Sequence, residues 1–123
     1  MARILLVDDD PAVLRLVSLV LRTEGLAVDT ATDGNEAMRA LRLERPDLIV
    51  LDLSMPVMDG RTFYRRARAA GYTGPMIVCS AYGAVEAGRE LGAEAAIDKP
   101  FEPTELVSVI NSLLQPTGGP SPR

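Results

Sequence analysis

Arg3-Ile4-Leu5-Leu6-Val7-Asp8-Asp9-Asp10-Pro11 is the stretch that decides the fold of this chain. A short apolar run without polar alternation suits a strand covered on both faces. It stops abruptly at three carboxylates. Asp10-Pro11 then reads as a helix start, with a carboxylate to cap the first turn and proline at the first helical position. The segment is therefore strand, acidic turn, helix. Leu48-Ile49-Val50-Leu51-Asp52 repeats the theme of an apolar run ending in a carboxylate, and Met76-Ile77-Val78-Cys79 leads in the same way to Ser80.

Working outward, strand-like and helix-like segments alternate five times. Strands are predicted over 3–8, 26–31, 47–52, 75–79 and 94–98, and helices over 11–24, 34–44, 60–70, 82–91 and 103–114. Asp33 with Glu36 has capping-box spacing, Asp59 is placed to cap the third helix, and Glu102-Pro103 opens the fifth. Gly25, Gly71 and Gly92 fall where left-handed helix ends are expected. In the first helix Val13, Leu16, Val17 and Val20 are read as the core stripe, with Leu14 and Leu21 widening the arc. In the fifth, Leu106, Val109, Ile110 and Leu113 face the core, leaving Val107, Ser108, Asn111 and Ser112 toward water. Arg61, Arg65, Arg66 and Arg68 on the third helix read as a solvated face. Five βα repeats of this length imply a doubly wound α/β domain, a five-stranded parallel sheet with five helices and right-handed crossovers. Its ligand crevice is expected beyond the carboxyl ends of the strands.

With 123 residues, of which 47% are hydrophobic, the chain is long enough for one core. Residues 1–115 form that domain, and 116–123, Pro-Thr-Gly-Gly-Pro-Ser-Pro-Arg, are expected to be a disordered tail or the start of a linker. A single cysteine, Cys79, argues against a disulfide framework and for a cytoplasmic setting. No stretch approaches the roughly 20 apolar residues that span a bilayer, so no membrane association is expected. A formal net charge of −4 disfavours nucleic acid as a direct partner of this domain. The absence of histidine excludes His-based zinc binding and catalysis.

The acidic turn sets the chemistry. Doubly wound domains commonly bind phosphate on a glycine-rich turn after the first strand, but here that turn is Asp8-Asp9-Asp10. Two carboxylates about 4 Å apart repel by about 4 kcal/mol at an effective dielectric of 20. Three together invite a divalent metal, and hard oxygen ligands point to magnesium or manganese. Asp10 is read as the helix cap and Asp8 and Asp9 as ligands. The chain carries twelve arginines and one lysine, Lys99, in Ile97-Asp98-Lys99-Pro100-Phe101. A lone ammonium there suggests a site that needs a compact point charge. Metal, carboxylate and lysine together suit phosphoryl transfer to a carboxylate, with Ser80 and the N–H of Ala81 available to the third phosphoryl oxygen.

At this point the residues resemble a family. Val7-Asp8-Asp9, Leu51-Asp52-Leu53-Ser54-Met55-Pro56-Val57-Met58-Asp59-Gly60, Ser80-Ala81 and Lys99-Pro100-Phe101 are similar to the motifs of response-regulator receiver domains, over residues 2 to about 115. The resemblance implies a flavodoxin-like sheet of order 2-1-3-4-5 and Asp52 as the phosphorylated nucleophile. It implies Asp9 as a direct magnesium ligand, Asp8 acting largely through water, and the carbonyl of Ser54 completing the site. Ser80 would bond the phosphoryl group, and Lys99 would pair with Asp52 and then with phosphate. The Lys99-Pro100 peptide is expected to be cis. The implied partners are a sensor histidine kinase or histidine phosphotransfer protein, docking around the first helix, and a downstream effector read through the fourth helix, fifth strand and fifth helix. The implied role is a switch that catalyses its own modification, not a turnover enzyme.

Two departures stand out. Many receivers carry an aromatic residue three positions before the lysine, where this chain has Ala96. Three glycines in 82–92 (Gly83, Gly88 and Gly92) make the fourth helix marginal and a candidate to move instead. Tyr82, two beyond Ser80, is placed to hinder an attacking water. Two rival readings are a magnesium-dependent phosphatase or phosphotransferase with an Asp nucleophile, and an unphosphorylated protein-binding module. The first lacks a second acid two residues after Asp52, where Ser54 stands, and the complete acidic set argues against the second.

Overall fold

The computed structural model describes residues 1–55 and 58–114. Strands and helices alternate as β1 (Arg3–Val7), α1 (Pro11–Thr23), β2 (Ala27–Ala31), α2 (Gly34–Leu43), β3 (Leu48–Asp52), α3 (Gly60–Ala69), β4 (Met76–Ser80), α4 (Ala84–Leu91), β5 (Ala95–Asp98) and α5 (Pro103–Leu114). The strands form one parallel sheet in the order β2-β1-β3-β4-β5. This is the doubly wound, flavodoxin-like arrangement expected from five βα repeats. The tail expected over 116–123 lies outside the described residues.

Alternation along the strands builds a core on each side of the sheet. Leu5, Val7, Ile49, Leu51, Met76 and Val78 meet α2, α3 and α4. Ile4, Leu6, Leu48, Val50, Ile77 and Cys79 meet α1 and α5. Because both faces are covered, these strands show no polar alternation in sequence.

The helix starts follow their caps. Asp10 Oδ1 accepts from Ala12 N at 2.9 Å, Asp33 Oδ1 from Glu36 N at 2.8 Å, and Asp59 Oδ1 from Thr62 N at 2.8 Å. Gly25, Gly71 and Gly92 take the left-handed conformation expected of them.

Four expectations are corrected. The buried stripe of α1 is Leu14, Val17, Ser18 and Leu21, while Leu16 is 55% exposed. Seven valines and leucines surround this helix, so periodicity alone did not choose a face, and the sheet presses on the one that includes Ser18. On α5, Val107 is buried beside Leu106 and Ile110 rather than facing water. Helix α4 begins at Ala84, not at 82, because Gly83 before it stands at φ 68°, outside helical space. Arg61, Arg65 and Arg66 have exposed or solvent-facing positions on α3, but Arg68 does not belong to a solvated face. Its guanidinium donates to the carbonyls of Tyr72 (3.0 Å) and Gly74 (2.7 Å) and to Glu94 (3.1 Å), 5.1 Å from the Tyr64 ring centroid. Glu94 in turn accepts from Met76 N, so this arginine ties α3 to the starts of β4 and β5.

Candidate functional site

The parallel register pairs Val7 with Leu51, which brings the acidic ends of β1 and β3 side by side. One carboxylate oxygen from each of Asp8, Asp9 and Asp52 lies within 4.8 Å of the others. Asp8 and Asp52 are buried and Asp9 is exposed.

The two buried carboxylates are held alike. One oxygen of each accepts a backbone N–H two residues on: Asp8 Oδ1 from Asp10 (2.9 Å) and Asp52 Oδ1 from Ser54 (3.1 Å). The other oxygen of each faces Lys99. Its Nζ donates to Asp8 Oδ2 at 2.7 Å and stands 3.4 Å from Asp52 Oδ2. Lys99 arrives from the end of β5, where its N–H donates to the carbonyl of Ser80 (2.8 Å) and the Lys99-Pro100 bond is cis. The ammonium thus bridges both acids and sits closer to Asp8, where the sequence reading paired it with Asp52.

The electrostatics follow from this crowding. Burial raises the Asp52 carboxyl to about 6, and Asp8 adds to the rise. The Ser54 N–H and the Lys99 ammonium oppose it. Burial alone would lower the Lys99 pKa, but the bond to Asp8 and the charges of Asp8 and Asp52 outweigh it and leave it raised. Asp8, Asp9, Asp52 and Lys99 together carry a formal charge of −2. A divalent cation fits that deficit, and an all-carboxylate set suits magnesium or manganese. Cys79 is buried beneath, its thiol pushed up to about 12, and is chemically inert.

Ser80 is the last residue of β4 and is buried. Its Oγ–H donates to the Tyr82 carbonyl (2.8 Å) and its Oγ accepts from Tyr82 N (3.3 Å), so the hydroxyl is engaged within its own loop. The Tyr82 side chain is 90% exposed. Ser54 is exposed beside Asp52.

Gly60, the last residue of the Asp52 motif, stands where no side chain fits. A Cβ there would overlap the carbonyl of Asp52 and lie 2.6 Å from Leu53 Cα. Only glycine lets α3 start against the backbone that carries Asp52. Beside the acids, Val13, Leu16, Val17, Ala81, Pro100 and Phe101 line an open groove of about 360 Å³, with Asp10 and Lys99 also in its wall.

The family model of the response regulator receiver domain matches residues 4–111. The chain is 44% identical over 119 residues to the transcriptional regulatory protein PrrA of Mycobacterium tuberculosis, an alignment covering 94% of this chain and 51% of that protein. It is 38% identical over 115 residues to the DNA-binding response regulator MtrA of Mycolicibacterium smegmatis, covering 92% of this chain and 50% of that one. The chain thus spans about half the length of these curated relatives. Among solved structures, the Vibrio cholerae chemotaxis protein CheY4 superimposes with a TM-score of 0.86 at 32% identity, covering 93% of this chain and 99% of that one. The response regulator TrrA of Thermotoga maritima, solved in complex with Mg2+-BeF, superimposes with a TM-score of 0.82 at 31% identity, covering 93% and 100%. A family match across nearly the whole sheet, joined to an acidic cluster and lysine at its carboxyl edge, makes this chain a receiver domain of the two-component response-regulator family.

Proposed function

We propose that this domain accepts a phosphoryl group from a phosphohistidine donor onto Asp52 and acts as a switch rather than a turnover enzyme. The observation that carries the reading is the convergence of Asp8, Asp9 and Asp52 with the Lys99 ammonium at one end of the sheet. Asp52 Oδ attacks phosphorus in line. The P–N bond to the donor imidazole breaks as the O–P bond forms, and the electron pair returns to the ring nitrogen, leaving neutral imidazole once its proton balance is restored from solvent. A magnesium or manganese ion held by Asp8, Asp9, Asp52 and the Ser54 carbonyl would offset charge on the transferring oxygens. Lys99, already within reach of both buried acids, pairs with the same developing charge. Ser80 can donate to a phosphoryl oxygen only by releasing the Tyr82 carbonyl.

The magnesium and beryllofluoride complex of TrrA supports this reading by similarity. The donor is a sensor histidine kinase or a histidine phosphotransfer protein. The apolar groove between α1 and Phe101, which runs up to Lys99, suits a donor helix whose histidine reaches Asp52. A cytoplasmic setting follows from that role, and no helix among the described residues is long and apolar enough to cross a membrane. Nucleic-acid binding would belong to a further domain of the kind that makes PrrA and MtrA twice as long, not to this acidic one.

The test is to incubate the intact chain with magnesium and an autophosphorylated histidine kinase, and to locate the label by mass spectrometry. One phosphoryl group on Asp52, absent from Asp52→Asn, is the expected result. Equal labelling of Asp52→Asn would overturn the reading, and sustained turnover of small phosphate esters would favour a phosphatase.

A further inference from the structure

Helix α4 begins without a cap of its own. Its N-cap position is Gly83, left-handed at φ 68° and without a side chain to accept from the first turn. The first helical N–H, that of Ala84, is met instead from another strand: Asp98 Oδ1 of β5 accepts it at 3.3 Å. Asp98 pairs with Ser80 in the β4–β5 register, and the next residue is Lys99. The strand that delivers the ammonium of the acidic crevice therefore also delivers, one residue earlier, the carboxylate that meets the start of the helix following Ser80.

Little else holds that end of α4. Its buried residues are Ala84, Ala87 and Gly88. The helix lies flush on the sheet at Gly88, where a Cβ would be 3.1 Å from the Ala96 Cβ and 3.3 Å from Val78 Cγ2. Small residues pack closely but remove little apolar area from water. The intervening loop is pinned at both ends by single side chains. Ser80 Oγ closes it on Tyr82, and Asp98 holds Ala84.

We propose that Asp98 is a positioning residue that caps α4 from β5 and sets how far a rearrangement at Ser80 spreads into that helix. At rest both pins hold. When Ser80 turns to a phosphoryl group it releases Tyr82, and Asp98 is then the side chain that keeps Ala84 against β5. With the cap in place, the change is checked at the first turn of α4. Without it, the change runs further along the helix. This second consequence rests on Asp52 being the phosphoryl acceptor, whereas the cap itself does not.

The experiment is amide hydrogen exchange by NMR on the full chain, as wild type, Asp98→Ala and Asp98→Asn, with and without magnesium and beryllofluoride. In the ligand-free proteins, Asp98→Ala should speed exchange at Ala84 and Ala87 about fivefold, the usual effect of losing a helix cap. Asp98→Asn keeps an acceptor and should restore most of the protection, which a simple charge effect on Lys99 would not. Unchanged protection in Asp98→Ala, or Asp98→Asn as exposed as Asp98→Ala, overturns the cap. With beryllofluoride, the perturbation should reach further along α4 from Ala84 in Asp98→Ala than in wild type, and equal extents in the two proteins overturn the control of spread. If beryllofluoride alters no amide in any variant, the acceptor reading fails, and the control of spread falls with it. The ligand-free comparison still decides the cap.

Discussion

Helices α1 and α4 flank the same crevice and are built in opposite ways. Helix α1 has thirteen residues, carries its own cap in Asp10 followed by Pro11, and buries Leu14, Val17 and Leu21. Helix α4 has eight residues, starts after a glycine, and buries two alanines and a glycine. A fully buried Leu or Val contributes about 1.5–3 kcal/mol, whereas a methyl group is worth nearer 0.8 kcal/mol. The helix that continues directly from Asp8-Asp9-Asp10 is therefore strongly held, and the helix that follows Ser80 is lightly held. The acids of β1 and β3 gain a preorganised site from the first arrangement. The segment beyond β4 gains the low local stability that a responding element needs.

The largest effect expected from this contrast is on global stability. Leu21 is fully buried at the C-terminal end of the α1 face. Leu21→Ala should cost about 2–5 kcal/mol in urea unfolding. The matching truncation in α4, Ala87→Gly, should cost about 1–2 kcal/mol, the helix penalty of glycine plus the loss of one buried methyl group. Equal losses from the two substitutions would break the comparison.

The acidic half should also be the pH-sensitive one. Because burial lifts the Asp52 carboxyl to about 6, the folded chain holds that proton more tightly than the unfolded chain does. In ion-free protein this contribution to stability is fullest below about pH 4, the unfolded carboxyl value, and is lost as pH rises through about 6. A divalent cation needs the carboxylate and so displaces the proton. Its affinity should fall about tenfold between pH 7 and pH 5, the effect of one proton displaced at that pKa. Calorimetric titration with magnesium checks this, and the magnesium-induced rise in Tm should shrink over the same range. Affinity independent of pH would mean that Asp52 is not among the ligands.

What the sequence disclosed divides along the same line. Strands that end in carboxylates, caps that precede their own helices and a solitary lysine are all local signals. They located β1, β3, the acidic cluster and Lys99 within a residue or two. The misreadings came where the deciding partner is distant in sequence. Nothing near Ala84 announces that the cap of α4 lies fourteen residues on at Asp98. Arg68 looks like its exposed neighbours until Glu94, twenty-six residues on, arrives beside its guanidinium at the start of β5. The face of α1 was misjudged because apolar residues surround the helix and a serine occupies the middle of the true contact.

That serine gives the smallest and most pointed prediction. Ser18 is 3% exposed, and its Oγ is the buried side-chain polar atom without a hydrogen-bond partner among the described residues. Burying a hydroxyl without a partner costs about 1–3 kcal/mol in mutational data, and alanine in a helix interior is more favourable than serine. Ser18→Ala removes one oxygen from a face made of Leu14, Val17 and Leu21, and leaves at most a small void against the sheet. The two effects oppose each other, and the hydroxyl is the larger. The variant should gain about 1 kcal/mol in urea unfolding, with the proposed phosphoryl uptake at Asp52 unchanged. A loss of stability would mean that the hydroxyl reaches a partner such as the carbonyl one turn back in α1. In that case the firmly held helix would owe part of its hold to a polar contact rather than to its leucines alone.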